Sequence, residues 1–450
     1  MIDRKLLLKY DGNYARYTSY PTAPHFSSLI DGEIYRNWLK TLPINQTLSL
    51  YFHIPFCQQL CWYCGCYTKI TKRYAPVENY LQVLIDEVRL IADLIKDGKH
   101  KVSHIHFGGG SPNILLPESF TELMSEIKAN FVITADAEIA IEVDPRSINE
   151  EKVKTYAQCK INRVSIGVQD FADEVQQAIN RVQSFEVVYD AIKLFRKYNI
   201  DAINIDLIYG LPKQTVQSIM KTIDYAMLLK PNRIAFFAYA HVQWMKKHMR
   251  LIKEEDLPNA ALRAEMYQVT LQKLQEEGFK AIGLDHFVRP NDSMMNAFET
   301  KKLKRNFQGY SSDSADYVIG FGVSSISYLP QGYVQNCLDF EEYKNSILAN
   351  KLAVKKGIVI GEDDKMRKKI IDEIMCYLRI DLKHFIKEYA LSDSYFAKEL
   401  ANLAQLQKDG LVEIKDDVIT INSQARQICR VVSSVFDKYF SASAARHSRI

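Results

Sequence analysis

Residues 51–69, YFHIPFCQQLCWYCGCYTK, hold four of the chain's eight cysteines, at positions 57, 61, 64 and 66. The residues before them complete an apolar run, TLSLYFHI (47–54), rich in the branched and aromatic side chains that suit a strand. After them, VENYLQVLIDEVRLIADLIKD (77–97) repeats its apolar positions at helical spacing. The cysteine loop thus joins a strand to a helix, and the same alternation continues outward. VSHIHFG (102–108), EIAIEVD (138–144), RVSIGVQ (163–169), AINIDLIYG (202–210) and RIAFFAYA (233–240) read as further strands. Helical patterns such as FEVVYDAIKLFRKYN (185–199) lie between them. Six βα units in series predict an α/β fold, a parallel sheet with helices outside, curled as a partial (β/α)6 TIM-like barrel. A doubly wound open sheet is the alternative.

Beyond Gly278 the pattern loosens into an irregular stretch from Asp285 to Ser327, and from Glu362 it becomes helical and charged. We therefore expect an N-terminal extension over 1–46, a barrel with substrate loops over 47–330, and a helical C-terminal domain over 331–450. A chain of 450 residues, 47% of them apolar, is long enough for one large core and an appendage. The formal charge of +4 gives no sign of a nucleic-acid binder, and no run reaches the roughly 18 apolar residues that span a bilayer. The opening MIDRKLLLKYDGNYARY lacks a signal peptide's apolar core and cleavage site. These features predict a cytoplasmic protein without a membrane partner. Thiols stay reduced in that compartment, so clustered cysteines there bind metal or do chemistry more often than they form bridges.

Cys57, Cys61 and Cys64 form C-x3-C-x2-C. A structural zinc site wants four ligands, commonly as two spaced pairs, and no second pair occurs. A redox pair needs two cysteines and leaves Cys57 unexplained. Iron–sulfur clusters are held by four thiolates as a rule, so three suggest a cluster with one iron open to a substrate or cofactor, with zinc and redox pairing as alternatives. Cys66 is a less apt fourth ligand, because the short step through Gly65 strains the geometry.

This spacing, with an aromatic (Tyr63) before the last cysteine and a position after the first strand, resembles the radical S-adenosylmethionine enzymes. A narrower resemblance spans nearly the whole chain. RYTSYPTAPHF (16–26), HIPFCQQLCWYCGC (53–66), HFGGGSPNIL (106–115), IEVDPR (141–146), SIGVQDF (165–171), NIDLIYGLP (204–212), YAH (239–241), RNFQGY (305–310) and GFGVSSIS (320–327) occur in order. Together they resemble the oxygen-independent coproporphyrinogen III oxidase family. The resemblance implies a radical S-adenosylmethionine type of partial barrel, a tetrapyrrole substrate, an electron donor and an acceptor of unnamed identity, and a monomer. It further implies one [4Fe-4S] cluster on Cys57, Cys61 and Cys64, and two S-adenosylmethionine molecules. Tyr51, Gly109, Glu142 and Ile326 match contacts to the first molecule. Tyr63, Gly110, Ser111, Gln169, Arg181, Asp206 and Ala240 match contacts to the second.

The residue types suit those roles. Gly108–Gly110 let backbone approach a ligand closely, Glu142 and Asp206 can accept from ribose hydroxyls or an ammonium, and Arg181 can pair with a carboxylate. Cys66 and Tyr17 are the candidates for managing protons or electrons after hydrogen abstraction. We expect the segment with Arg16 and Tyr17 to form a lid. His104 and His106, of which we expect at most one to face the barrel interior, read as packed or surface side chains. The other four cysteines read as buried thiols, and KKLKR (301–305) as a solvated face or a contact for substrate carboxylates. Tyr67, Ser111 and Gln243 depart from the family's usual Asn, Thr and Pro.

Overall fold

The structure, a computed structural model, describes residue 6, residues 9–10 and residues 12–441. Its main sheet has twelve strands. In chain order these are β1 (Thr47–Ile54), β2 (Lys101–Gly109), β3 (Val132–Val143), β4 (Arg163–Gln169), β5 (Ala202–Tyr209), β6 (Arg233–Ala238), β7 (Lys280–Ile282), β8 (His286–Val288), β9 (Tyr317–Phe321), β10 (Ile326–Leu329), β11 (Gly332–Asn336) and β12 (Val354–Val359). Strands β1 to β6 lie side by side in sequence order and pair in parallel. A doubly wound sheet would reverse direction part-way, so this order selects the barrel. Strand β9 adds in parallel to β1, and β10 to β12 continue antiparallel. At the other edge β8 and β7 add antiparallel to β6, so the barrel stays open.

The alternation in β1 shows how the layers form. Leu48, Leu50, Phe52 and Ile54 are fully buried toward the helices, while Tyr51 and His53 point the other way. Phe52 stacks on Phe107 at 5.1 Å and on Phe321 at 4.7 Å, fixing three neighbouring strands. Helix α1 (Ala75–Ile95) covers this face with Val77, Leu81, Leu84, Val88 and Ile91, an i, i+4, i+7 stripe. Helices α2 (Pro117–Asn130), α3 (Glu150–Gln158), α4 (Phe185–Lys197) and α5 (Val216–Leu228) follow the next four strands. Asn149, Ser184 and Thr215 cap α3, α4 and α5, each accepting from a backbone N–H of the first turn.

The sheet runs past residue 330, because β11 and β12 extend it to Val359. The stretch from Asp285 to Ser327 is not structureless either. It holds β8, a helix at Ser293–Glu299, a small hairpin (Lys304–Asn306 with Gly309–Ser311) and β9. Beyond it, α6 (Glu362–Tyr377) and three shorter helices pack with a three-stranded antiparallel sheet, so the C-terminal region is helical but not wholly so. Ala15, Tyr17 and Tyr20 of the N-terminal segment are buried in that region's core, beside Ile370, Ile374 and Phe436. One expectation was wrong in its geometry. His104 and His106 are two residues apart in a strand and so share a face, their rings stacked 6.3 Å apart. Cys159, Cys337, Cys376 and Cys429 are buried thiols.

Candidate active site

At the C-terminal ends of β1 to β6 lies a cavity of about 680 Å³, within the range of small-molecule sites. The loop after β1 lines it with Cys57, Cys61, Tyr63, Cys64 and Cys66. The turn after β2 contributes Gly109, Gly110 and Ser111, and the end of β3 contributes Glu142 and Asp144. Gln169 comes from β4, Arg181 from the segment before α4, Asp206 from β5 and Ala240 from just after β6. The N-terminal segment supplies a further wall that includes Arg16 and Tyr17.

The glycine turn is laced to the cysteine loop. Gly110 N–H donates to Ile54 O and Ser111 N–H to Phe56 O, both at 2.9 Å. Gly109 adopts φ +112°, and a side chain there would strike the His53 ring, so only glycine fits. Burial pushes the Cys57 thiol up to about 12, and the neighbouring Cys64 and Cys61 add to the effect. The Cys66 thiol hydrogen-bonds Cys64 and brings it down to about 6. Arg181 Nη1 lies 3.6 Å from Cys61 Sγ and 3.3 Å from Asp144 Oδ2. Arg146 donates to the same oxygen through Nη2 at 2.6 Å and to Oδ1 through Nε at 2.9 Å, and extends to Gln59 at 3.0 Å. Burial works against the Arg181 charge, but Tyr63, Asp144 and Cys61 outweigh it and hold the guanidinium charged.

His106 Nε2 hydrogen-bonds Glu142 Oε1 at 3.0 Å, and Gly109 N–H donates to Oε2 at 3.3 Å. Burial raises Glu142, yet His106 and the Gly109 amide outweigh it, so the carboxylate titrates below its ordinary range. Asp206 accepts from Ser165 Oγ and Asn204 Nδ2, each at 3.0 Å. Burial and the Glu142 charge push it up to about 7. The barrel thus holds one ionised acid beside one poised near neutrality.

Two matched residues stand behind the cavity wall. Tyr51 bonds His53 Nδ1 at 3.1 Å and stacks on the His106 ring at 5.9 Å. Ile326 packs against the cluster of Phe26, Tyr333 and Ile360. Tyr17 donates to Asp437 Oδ2 at 3.2 Å, and burial raises its pKa. Among the departures, Tyr67 donates from its hydroxyl to Leu338 O and accepts from His53 through its carbonyl. The KKLKR run divides, with Arg305 buried and Lys301 and Lys302 exposed. Sequence reasoning gave no role to Asp144, Arg146 or His106. The Asp-Pro-Arg step after β3 was a usable signal for the first two, and the shared face of His104 and His106 for the third.

The radical SAM superfamily description matches residues 51–226. An oxygen-independent coproporphyrinogen III oxidase from Bradyrhizobium diazoefficiens is 44% identical, covering 96% of both chains. One from Escherichia coli is 38% identical over 98% of this chain and 96% of its own. The chain belongs to the oxygen-independent coproporphyrinogen III oxidase family. A solved coproporphyrinogen III oxidase from Escherichia coli, described as a radical SAM enzyme, superposes with a TM-score of 0.91 at 36% identity, covering 98% of this chain and 99% of that one. Membership of the oxidase family implies a [4Fe-4S] cluster and S-adenosylmethionine. The residues fit such a cluster, since three thiols of one loop line a single cavity wall and two arginines flank them to offset thiolate charge.

Proposed function

We propose that this chain carries out the oxygen-independent oxidative decarboxylation of two propionate side chains of coproporphyrinogen III to vinyl groups, giving protoporphyrinogen IX for haem biosynthesis. One observation carries the reading. The three cysteines of the loop after β1 face a cavity that β2 to β6 also line, in a chain that matches the named oxidases over 96–98% of its length. The propionate carbon that must lose hydrogen is unactivated, so no tuned carboxylate or imidazole removes it as a proton near neutral pH. When bound, the cluster and S-adenosylmethionine would supply the radical chemistry that such a carbon needs to lose its hydrogen as an atom.

The chain's own residues bind, aim and shield. Cys57, Cys61 and Cys64 would hold the cluster, three thiolates against the usual four leaving a place for the first S-adenosylmethionine. Tyr51, Gly109, Glu142 and Ile326 serve that molecule, Tyr51 acting through His106 and Glu142 rather than from the wall. Tyr63, Gly110, Ser111, Gln169, Arg181, Asp206 and Ala240 serve a second. Two propionates react, which accords with two cofactor molecules per turnover. Cys66 faces the cavity and is the candidate for moving a proton or electron after abstraction, whereas Tyr17 is better suited to anchoring because its hydroxyl is engaged by Asp437. The RYTSYPT segment, residues 16–22, acts as a lid fastened to the C-terminal core, over a barrel unit that continues to Val359.

Among the described residues, no helix is long and apolar enough to cross a membrane. We further infer a monomer working in the cytoplasm with a one-electron donor, an acceptor and no nucleic-acid partner, a setting in which eight free cysteines stay reduced. The test is anaerobic incubation of the reduced, cluster-loaded chain with S-adenosylmethionine and coproporphyrinogen III. Protoporphyrinogen is the expected product. Cofactor cleavage without any vinyl product would contradict the assignment.

A further inference from the structure

We propose that Arg16 binds a substrate propionate that is retained through the reaction, and so orients the macrocycle in the cavity. This rests on the functional reading above and adds to it a specificity-determining side chain. Arg16 lies in the wall built by the N-terminal segment, facing the same cavity as the cysteine loop. Its backbone is fixed from outside. Arg305 Nε donates to Arg16 O at 3.3 Å, Arg430 Nε donates to Ala15 O at 3.0 Å, and Tyr17 is buried against the C-terminal core. Its guanidinium, by contrast, has no hydrogen bond or ion pair among the described residues. The nearby carboxylate, Asp285, is already held by His286 at 2.7 Å and by Arg305 at 3.9 Å.

Arg16 is exposed to the cavity, so its guanidinium is free to take up a carboxylate that a ligand brings. Arg305 Nη1, buried beside it, likewise lacks a hydrogen-bond partner. Arg16 alone faces the cavity, and its planar fork can hold a carboxylate through two donors, the geometry in which arginine outperforms lysine.

The choice between a retained and a reacting propionate follows from charge. When carbon dioxide leaves, the negative charge leaves the carboxylate, so a guanidinium paired to it stabilises the ground state more than the transition state and slows the step. A retained propionate keeps its charge throughout. Arg16 on that group contributes uniform binding, which appears in KM rather than kcat.

The experiment compares wild type, Arg16→Met and Arg16→Lys, each cluster-loaded and matched for iron content, on coproporphyrinogen III under reducing anaerobic conditions. KM for the tetrapyrrole and for S-adenosylmethionine are measured separately, and the tetramethyl ester of the substrate serves as an uncharged competitor. Arg16→Met is expected to raise the tetrapyrrole KM at least tenfold with kcat changed less than threefold, and to lose the wild type's preference for acid over ester. Arg16→Lys is expected to recover part of both. A tetrapyrrole KM within twofold of wild type in Arg16→Met overturns the proposal. So does a rise confined to the S-adenosylmethionine KM, which would assign Arg16 to the cofactor's carboxylate. A wild-type chain inactive on coproporphyrinogen III overturns the functional reading itself, a result separable from the behaviour of the variants.

Discussion

Asp206 and Glu142 show how neighbouring carboxyl groups of one barrel take different charges. Glu142 is paired with His106 and stays ionised, and its charge joins with burial to lift Asp206 to about 7. Below that pH Asp206 is protonated and neutral. Above it Asp206 becomes a carboxylate, able to attract a sulfonium cofactor and to accept from ribose hydroxyls. S-adenosylmethionine affinity should therefore tighten between pH 6 and pH 8, by up to about tenfold given a midpoint near 7. Asp206→Asn should remove that slope and stay near the weak, low-pH level, as anaerobic titration calorimetry can measure. At this scale the sequence was partly legible. Carboxylates at strand ends are visible in a motif, but the Glu142–His106 bond joins two strands and is set by register, which no single run of residues encodes.

Elements meet at sites whose partners are far apart in sequence. Glu87 of α1 is buried and accepts from Gly322 N–H at 2.6 Å, Asn336 Nδ2 at 2.7 Å and the Tyr343 hydroxyl at 2.8 Å, tying the helix to the turn after β9 and to β11. Burial raises its pKa to about 7. The unfolded chain ionises Glu87 near pH 4.5, while the folded chain keeps the proton until about pH 7. Stability therefore falls across that window and levels off above it, by on the order of 3 kcal/mol from this group. Glu87→Gln should remove that share of the slope, read from urea midpoints of both proteins between pH 4 and pH 8. The N-terminal segment is the other such element. Deleting residues 1–25 should abolish turnover while cluster iron is retained; unchanged turnover would exclude a lid. The six barrel strands were legible because each is a run of branched and aromatic residues followed by a helical pattern. Strands β11 and β12 were not, since GYVQN and VKKGIV mix glycine and polar residues and form only by pairing with an existing edge. Nor was the burial of Tyr17 and Tyr20 beside Ile370 and Phe436, a contact between opposite ends of the chain.

The molecule as a whole is a scaffold that brings the ends of six parallel strands to one cavity and lines that cavity with a segment anchored in a second core. The barrel makes the precision possible, because residues near strand ends are held by hydrogen bonds on both sides. The function is read from the cysteine loop and the whole-length match, because the barrel alone supports many chemistries. The most direct test counts iron and sulfide, and follows 5′-deoxyadenosine release, in anaerobically purified wild type and in Cys57→Ser, Cys61→Ser, Cys64→Ser and Cys66→Ser. The account predicts that the first three lose most of their iron, their brown colour and all cofactor cleavage, while Cys66→Ser keeps its iron. Full iron content with undiminished cleavage in any of the first three would contradict it.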